Sequence, residues 1–205
     1  MKKLIYGIVA VAFILIGACN NQKDNSEKKS DNNLNIESSK IATNDTADIR
    51  SVILEFYNWY NTNYEKFQDY NLYSGLKKKD VPPYKINWEE VKKYQDFIKS
   101  SVPNLGEEFL TDQLAFFKQC DSAFKVDVND EIPYGFDYDW YTNSQEDPQY
   151  LLDEINKKEN KWQINVNGNI ATVKVNDNQN KDYAILTMLL KKENDKWLIV
   201  KIGNE

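Results

Sequence analysis

The residues of this chain best suited to chemistry are carboxylates set among tyrosines. Asp137 and Asp139 alternate with Tyr138, Trp140 and Tyr141 in "FDYDWYTNSQEDP", residues 136–148, and Glu55 stands beside Tyr57 and Tyr60 in "LEFYNWY". A carboxylate in an apolar pocket can take a proton, and a tyrosine hydroxyl can stabilise the oxyanion that results. The same residue types also close loops and fill cores, because Asp, Asn, Ser and Thr bond nearby backbone and tyrosine rings pack. Tyr57, Tyr60, Tyr138, Asp139, Trp140 and Tyr141 are therefore candidate ligand-binding residues, with no residue assigned as catalytic. For the 136–148 stretch itself we expect a structural clasp: rings laid over the ends of helices, held by Asp139, Thr142, Asn143, Ser144 and Gln145.

Composition removes several chemistries. Histidine is absent from the 205 residues, which takes away the usual general base, the usual metal ligand and every nucleophile that a histidine would activate. Cysteine occurs twice, at Cys19 and Cys120, too few for a cysteine-type zinc site. The acidic run "DVNDEIPYGFDY" begins like a calcium loop, with Asp127, Asn129 and Glu131 at alternate positions. Ile132 then replaces the required glycine and Tyr138 stands where the bidentate glutamate belongs, so it is not an EF-hand. An irregular calcium site is an alternative, but no metal and no cofactor are expected.

The N-terminus carries the most specific pattern. Lys2 and Lys3 precede an apolar run from Leu4 to Ile16, too short to span a bilayer, and Gly17-Ala18 leads into Cys19. This resembles the bacterial lipoprotein signal peptide with its terminal cysteine. The resemblance implies that residues 1–18 are removed and that Cys19 is lipidated, which would fix the protein to a membrane without spanning it. Residues 19–44, rich in Asn, Ser, Lys and Asp, read as a disordered tether. Within them "NQKDN" is similar to the export signals of surface lipoproteins, implying a cell-envelope location at the outer membrane, facing outward; Asn25 stands where such signals carry a second acid, and a solvated charge run is the alternative. Taking the two leader lysines from 26 basic residues leaves 24 against 32 acids, a net charge of minus eight. Phosphate backbones repel such a surface, so nucleic acid is not an expected partner.

From residue 45 to 205 the periodicity is that of one folded domain. Asn44 or Asp45 is expected to cap a helix whose apolar positions are Ile49, Val52, Ile53, Phe56, Tyr60 and Tyr64. Two prolines in "KKKDVPPYK" break the pattern, and Asn87 with Glu90 reads as a capping box for a second helix, "WEEVKKYQDFIKSS". A third, "EEFLTDQLAFFKQCDSAF", sets Leu110, Leu114, Phe117, Phe124 and Cys120 on one stripe, which makes Cys120 a small core residue. "PQYLLDEINKK" adds a short helix. "KWQINV" and "NIATVKV" then flank Asn167-Gly168, a two-residue hairpin turn that would pair Trp162 with Val173 and Ile164 with Ala171. "DYAILTMLLKKE" and "KWLIVKI" form a second hairpin. Helices first and an antiparallel meander of about four strands last make an α+β fold.

The long aromatic first helix and the closing "DYAILTMLLKKENDKWLIVKI" resemble the cone-shaped domain of nuclear-transport-factor-2-like, or SnoaL-like, proteins. "SVILEFYNWYNTNY", "EEFLTDQLAFF" and "DWYTNSQE" are further similar to blocks of a family of bacterial lipoproteins and secreted proteins that implies no activity. The cone implies helices packed on a curved sheet around an open end. A non-enzymatic binding or interaction module, holding a small ligand, a peptide or an envelope protein, is the expected function. The same fold also permits an enzyme of the ketosteroid-isomerase type, with Glu55, Asp137 or Asp139 as base and Tyr57 or Tyr60 as donors.

Overall fold

The computed structural model describes residues 32–203 except 80 and 130, with side chains from residue 44 onward; the expected signal peptide over 1–18, Cys19 and the expected tether up to residue 31 lie outside the described residues. Helix α1 runs over Asn32–Phe67. No glycine or proline falls in that span, so nothing in the backbone chemistry stops the helix. The tether expected over 19–44 is thus helical from Asn32, and neither Asn44 nor Asp45 starts the helix. Asp45 instead reaches across the fold: its Oδ1 accepts from Lys192 Nζ at 2.7 Å and from Trp197 Nε1 at 3.2 Å, pinning α1 to the last hairpin. The lysine's hydrogen bond holds the Asp45 carboxyl below the usual carboxylate range.

Past Asp45, α1 buries Ile49, Ile53, Phe56, Tyr57, Tyr60 and Phe67. Two three-residue strands follow, β1 (Tyr73–Gly75) and β2 (Tyr84–Ile86), paired antiparallel. Helix α2 covers Trp88–Ser101, the expected span. Asn87 does occupy its N-cap but makes no capping bond. Its Nδ2 donates to the Asn71 carbonyl at 2.6 Å and its Oδ1 accepts from Ser74 Oγ at 3.2 Å, tying the helix start to β1. Helix α3 (Glu107–Val126) buries Phe109, Gln113, Phe117, Cys120 and Phe124, while Leu110 and Leu114 are half-buried. The buried stripe is therefore rotated by about one residue, some 100° at the helix start, from the apolar reading. Helix α4 (Pro148–Asn156) opens with proline in its first turn, and the Asp147 side chain caps it by accepting from Gln149 N at 2.7 Å.

The remaining strands, β3 (Lys161–Asn167), β4 (Ile170–Asn176), β5 (Ala184–Glu193) and β6 (Lys196–Ile202), form an antiparallel meander in sequence order. The fold is α+β with the helices preceding a four-stranded sheet. Ile164 pairs with Val173 and Trp162 with Val175, so the register differs from the expected one by a two-residue slide that keeps every side chain on its face. The turn is Gly168-Asn169 rather than Asn167-Gly168. Only its first central residue has positive φ (60°), the pattern of a type II′ turn that places glycine first. Asn194 and Asp195, both at positive φ, turn the second hairpin in the type I′ manner. Bulges opposite Val175/Asn176 and Leu189/Leu190 put an extra residue, Ile185 and Val200, into β5 and β6 and bend those two strands.

Val173, Val175, Leu186, Met188, Leu190 and Ile199 meet the helices from the sheet's inner face. Each such fully buried side chain contributes roughly 1.5–3 kcal/mol. The β6 edge is partly closed, because Gly106 N donates to the Ile199 carbonyl at 2.9 Å and Ile199 N to that of Asn104 at 2.7 Å.

Candidate functional site

A cleft of about 620 Å³ opens where the C-terminal half of α1 meets β1, α2, α3 and the loop over 135–146. Tyr60, Tyr64 and Phe67 reach it from α1, one helical turn apart, and Tyr70 and Tyr73 from the segment that follows. Tyr94 comes from α2; Gln113, Phe116 and Phe117 come from α3. The loop forms the facing wall. It can approach α3 closely because Gly135 has no side chain: a Cβ there would lie 2.3 Å from Phe116 Cζ, and its φ is +80°.

Asp139 holds that loop in shape. Its backbone N donates to the Ser144 carbonyl at 2.7 Å; its Oδ1 accepts from Tyr141 N at 2.6 Å and Thr142 N at 3.1 Å. Its Oδ2 accepts from the Tyr60 hydroxyl at 2.5 Å, so one carboxylate joins loop to helix. Burial pushes the Asp139 carboxyl above its ordinary value, and the bonds from Tyr60, Tyr141 and Thr142 pull the other way without cancelling it. Burial, reinforced by the Asp139 charge, also holds the Tyr60 hydroxyl far above its usual range, so at neutral pH it is a neutral donor.

Tyr141 is the hub behind it. Its carbonyl accepts from the Tyr57 hydroxyl at 3.0 Å, and its hydroxyl is bonded by Tyr94 and by Gln113 Nε2, each at 3.0 Å. Its ring lies 4.9 Å, centroid to centroid, from those of both Tyr60 and Phe67. Gln113 is 1 % exposed, and its Oε1 is a buried side-chain oxygen that accepts from no described residue.

Of the residues singled out from sequence, Tyr60, Tyr138, Asp139, Trp140 and Tyr141 line the cleft together. Tyr57 stands behind the wall, fully buried. Glu55 is elsewhere, exposed and accepting from Asn104 Nδ2 at 3.0 Å, and so cannot act with the tyrosines as the base of one site. Asp137 is on the exposed rim. The clasp bonds of Asp139 coexist with a cleft, and Trp140 is half-buried against Phe116, ring centroids 4.3 Å apart, rather than sealed over the helix ends. Gln113, Tyr94 and Phe116 were not singled out. Gln113 did leave a signal: it sits four residues from Phe109 and from Phe117, a polar member of an apolar series. Among the described residues no three His, Cys, Asp or Glu side chains could hold a metal ion, and no helix is long and apolar enough to cross a membrane. The chain matches no protein-family model, no curated protein and no solved structure.

Proposed function

We propose that this is a lipid-anchored binding protein of the bacterial cell envelope, fixed by Cys19 at the outer membrane, whose folded part is a nuclear-transport-factor-2-like cone that holds a small molecule without transforming it. The cleft carries the reading. About 620 Å³ lies within the range of small-molecule sites, roughly 300–1,000 Å³, and aromatic side chains make up about half of its lining, with polar and charged side chains supplying much of the rest. Its half-buried carboxylate is already engaged by Tyr60 and two backbone N–H groups, so Asp139 serves as a fastener more readily than as a free base. Aromatic walls supply contact area at low entropy cost, as binding needs.

The test is titration of the purified protein with N-phenyl-1-naphthylamine, a neutral dye that brightens in apolar sites. Saturable brightening that Trp140→Ala and Phe116→Ala each weaken is the expected result. No saturable binding, or binding indifferent to both substitutions, would remove the cleft as the functional site. Product formation from the bound compound would restore the enzymatic reading.

A further inference from the structure

Two features of the cleft are incomplete within the protein itself, and both ask for the same partner. The first is Gln113. Its Nε2 is committed to the Tyr141 hydroxyl, which fixes the amide plane, and its Oε1 is left without a donor at 1 % exposure on the cleft wall. Native proteins seldom keep a buried acceptor unpaired, since doing so sacrifices a whole hydrogen bond's worth of solvation. A ligand meeting this oxygen must bring an N–H or O–H.

The second is Asp139. Three neutral groups bond its carboxylate, and among the described residues no lysine or arginine forms an ion pair with it. A carboxylate withdrawn from water is ordinarily answered by a cation. The other charged groups around the cleft deepen the imbalance: among the described residues that line it, Asp137 and Glu146 are acids and Lys79, exposed at the rim, is the one base. Tyrosine, tryptophan and phenylalanine faces attract cations at about 6 Å or less from the ring.

We propose that the cleft takes an organic ammonium ion, an amine on an apolar or aromatic body, whose N–H bonds Gln113 Oε1 and whose charge answers Asp139 across the aromatic walls. This rests on the binding reading above and adds the ligand's chemical class. An anion would meet three acids against one base. A neutral ligand with a hydroxyl would satisfy Gln113 and leave Asp139 uncompensated.

Displacement of N-phenyl-1-naphthylamine from the purified protein separates these possibilities. The probes share one ring: 2-phenylethylammonium, 2-phenylethanol and 3-phenylpropanoate. The ammonium should displace the dye at a concentration at least about tenfold below the alcohol, the effect of one charge-assisted bond, and the carboxylate should be weakest. In Gln113→Met both the amine and the alcohol, each of which donates to that oxygen, should displace the dye several-fold less well. Equal or better displacement by the alcohol or the carboxylate overturns the ammonium assignment while leaving the cleft a binding site. Displacement by the amine and the alcohol that is as strong in Gln113→Met as in the parent overturns the role of its oxygen. Should that variant fail to fold, the comparison of amine and alcohol on the unaltered protein still decides. If the dye itself does not bind, the binding reading and this inference fall together.

Discussion

Removing the Tyr60 hydroxyl should destabilise the protein through Asp139, and a double-mutant cycle can show it. Tyr60→Phe keeps the ring, and with it the 4.9 Å contacts to Phe67 and Tyr141 and the stacking on Phe56, so packing loss is small. What disappears is the 2.5 Å bond to Asp139 Oδ2. Hydrogen bonds to charged groups contribute roughly 1.5–3 kcal/mol, and this one is part-buried, so we expect a loss of about 2 kcal/mol. For a folded unit of this size that is a fall in melting temperature of about 4–8 °C. Asp139→Asn retains an oxygen for Tyr141 N and Thr142 N and removes the charge. In that background the tyrosine bond is neutral and should be worth only about 1 kcal/mol, which leaves a coupling of about 1 kcal/mol between the two positions. Urea unfolding at neutral pH, followed by tryptophan fluorescence, measures all four corners. Additivity within about 0.3 kcal/mol, or a Tyr60→Phe protein as stable as the parent, would refute the idea that this bond joins loop to helix.

Four further outcomes are expected. Because burial raises the Asp139 carboxyl in the folded state, the native protein binds that proton more tightly than the unfolded chain. Its contribution is then fullest below the unfolded carboxylate value and is lost as pH rises through the folded value; the parent should gain stability relative to Asp139→Asn on going from about pH 7 to about pH 4. Asp45, held low by Lys192, has the opposite sign: its contribution exists above the unfolded value and fades as pH falls through the folded one, so Asp45→Asn should lose less stability than the parent on acidification. Cys120 is fully buried and its thiol is pushed up to about 12, so a disulfide reagent at mild alkaline pH should leave it untouched until denaturant is added; prompt labelling of the native protein would contradict its place in the core. In cells, a clickable fatty acid should label the protein, and equal labelling of Cys19→Ser would exclude the anchor.

Local rules carried the elements whose residues decide their own structure. Pro148 marks the start of α4, because a proline suits the first turn of a helix; the Asp147 cap itself was not read from the sequence. The bounds of α2 followed from prolines before it and a change of period after it. The β1–β2 pair left no such mark, since two three-residue strands are too short to show alternation. Asp45 looked like a helix cap because its chemistry suits one, and its real partners, Lys192 and Trp197, lie across the fold. The cleft was legible only in part for the same reason. The loop residues were visible as a cluster, but Tyr57 and Tyr141 are 84 positions apart, and no sequence pattern says that they meet. Gln113 was passed over because a search for apolar spacing skips a polar residue that the fold buries.

The attachment of Asp45 to the β5–β6 hairpin also orients the molecule. At 1.5 Å per residue, α1 rises about 22 Å from Asp45 to Tyr60. A chain anchored ahead of α1 enters the domain beside that hairpin, and the rings around Tyr60 open at the far end of the same rod. The same helix that is fastened to the hairpin at one point thus delivers the tyrosine to the cleft at another, so a pull on the chain ahead of α1 would meet the Asp45 fastening before it met the rings.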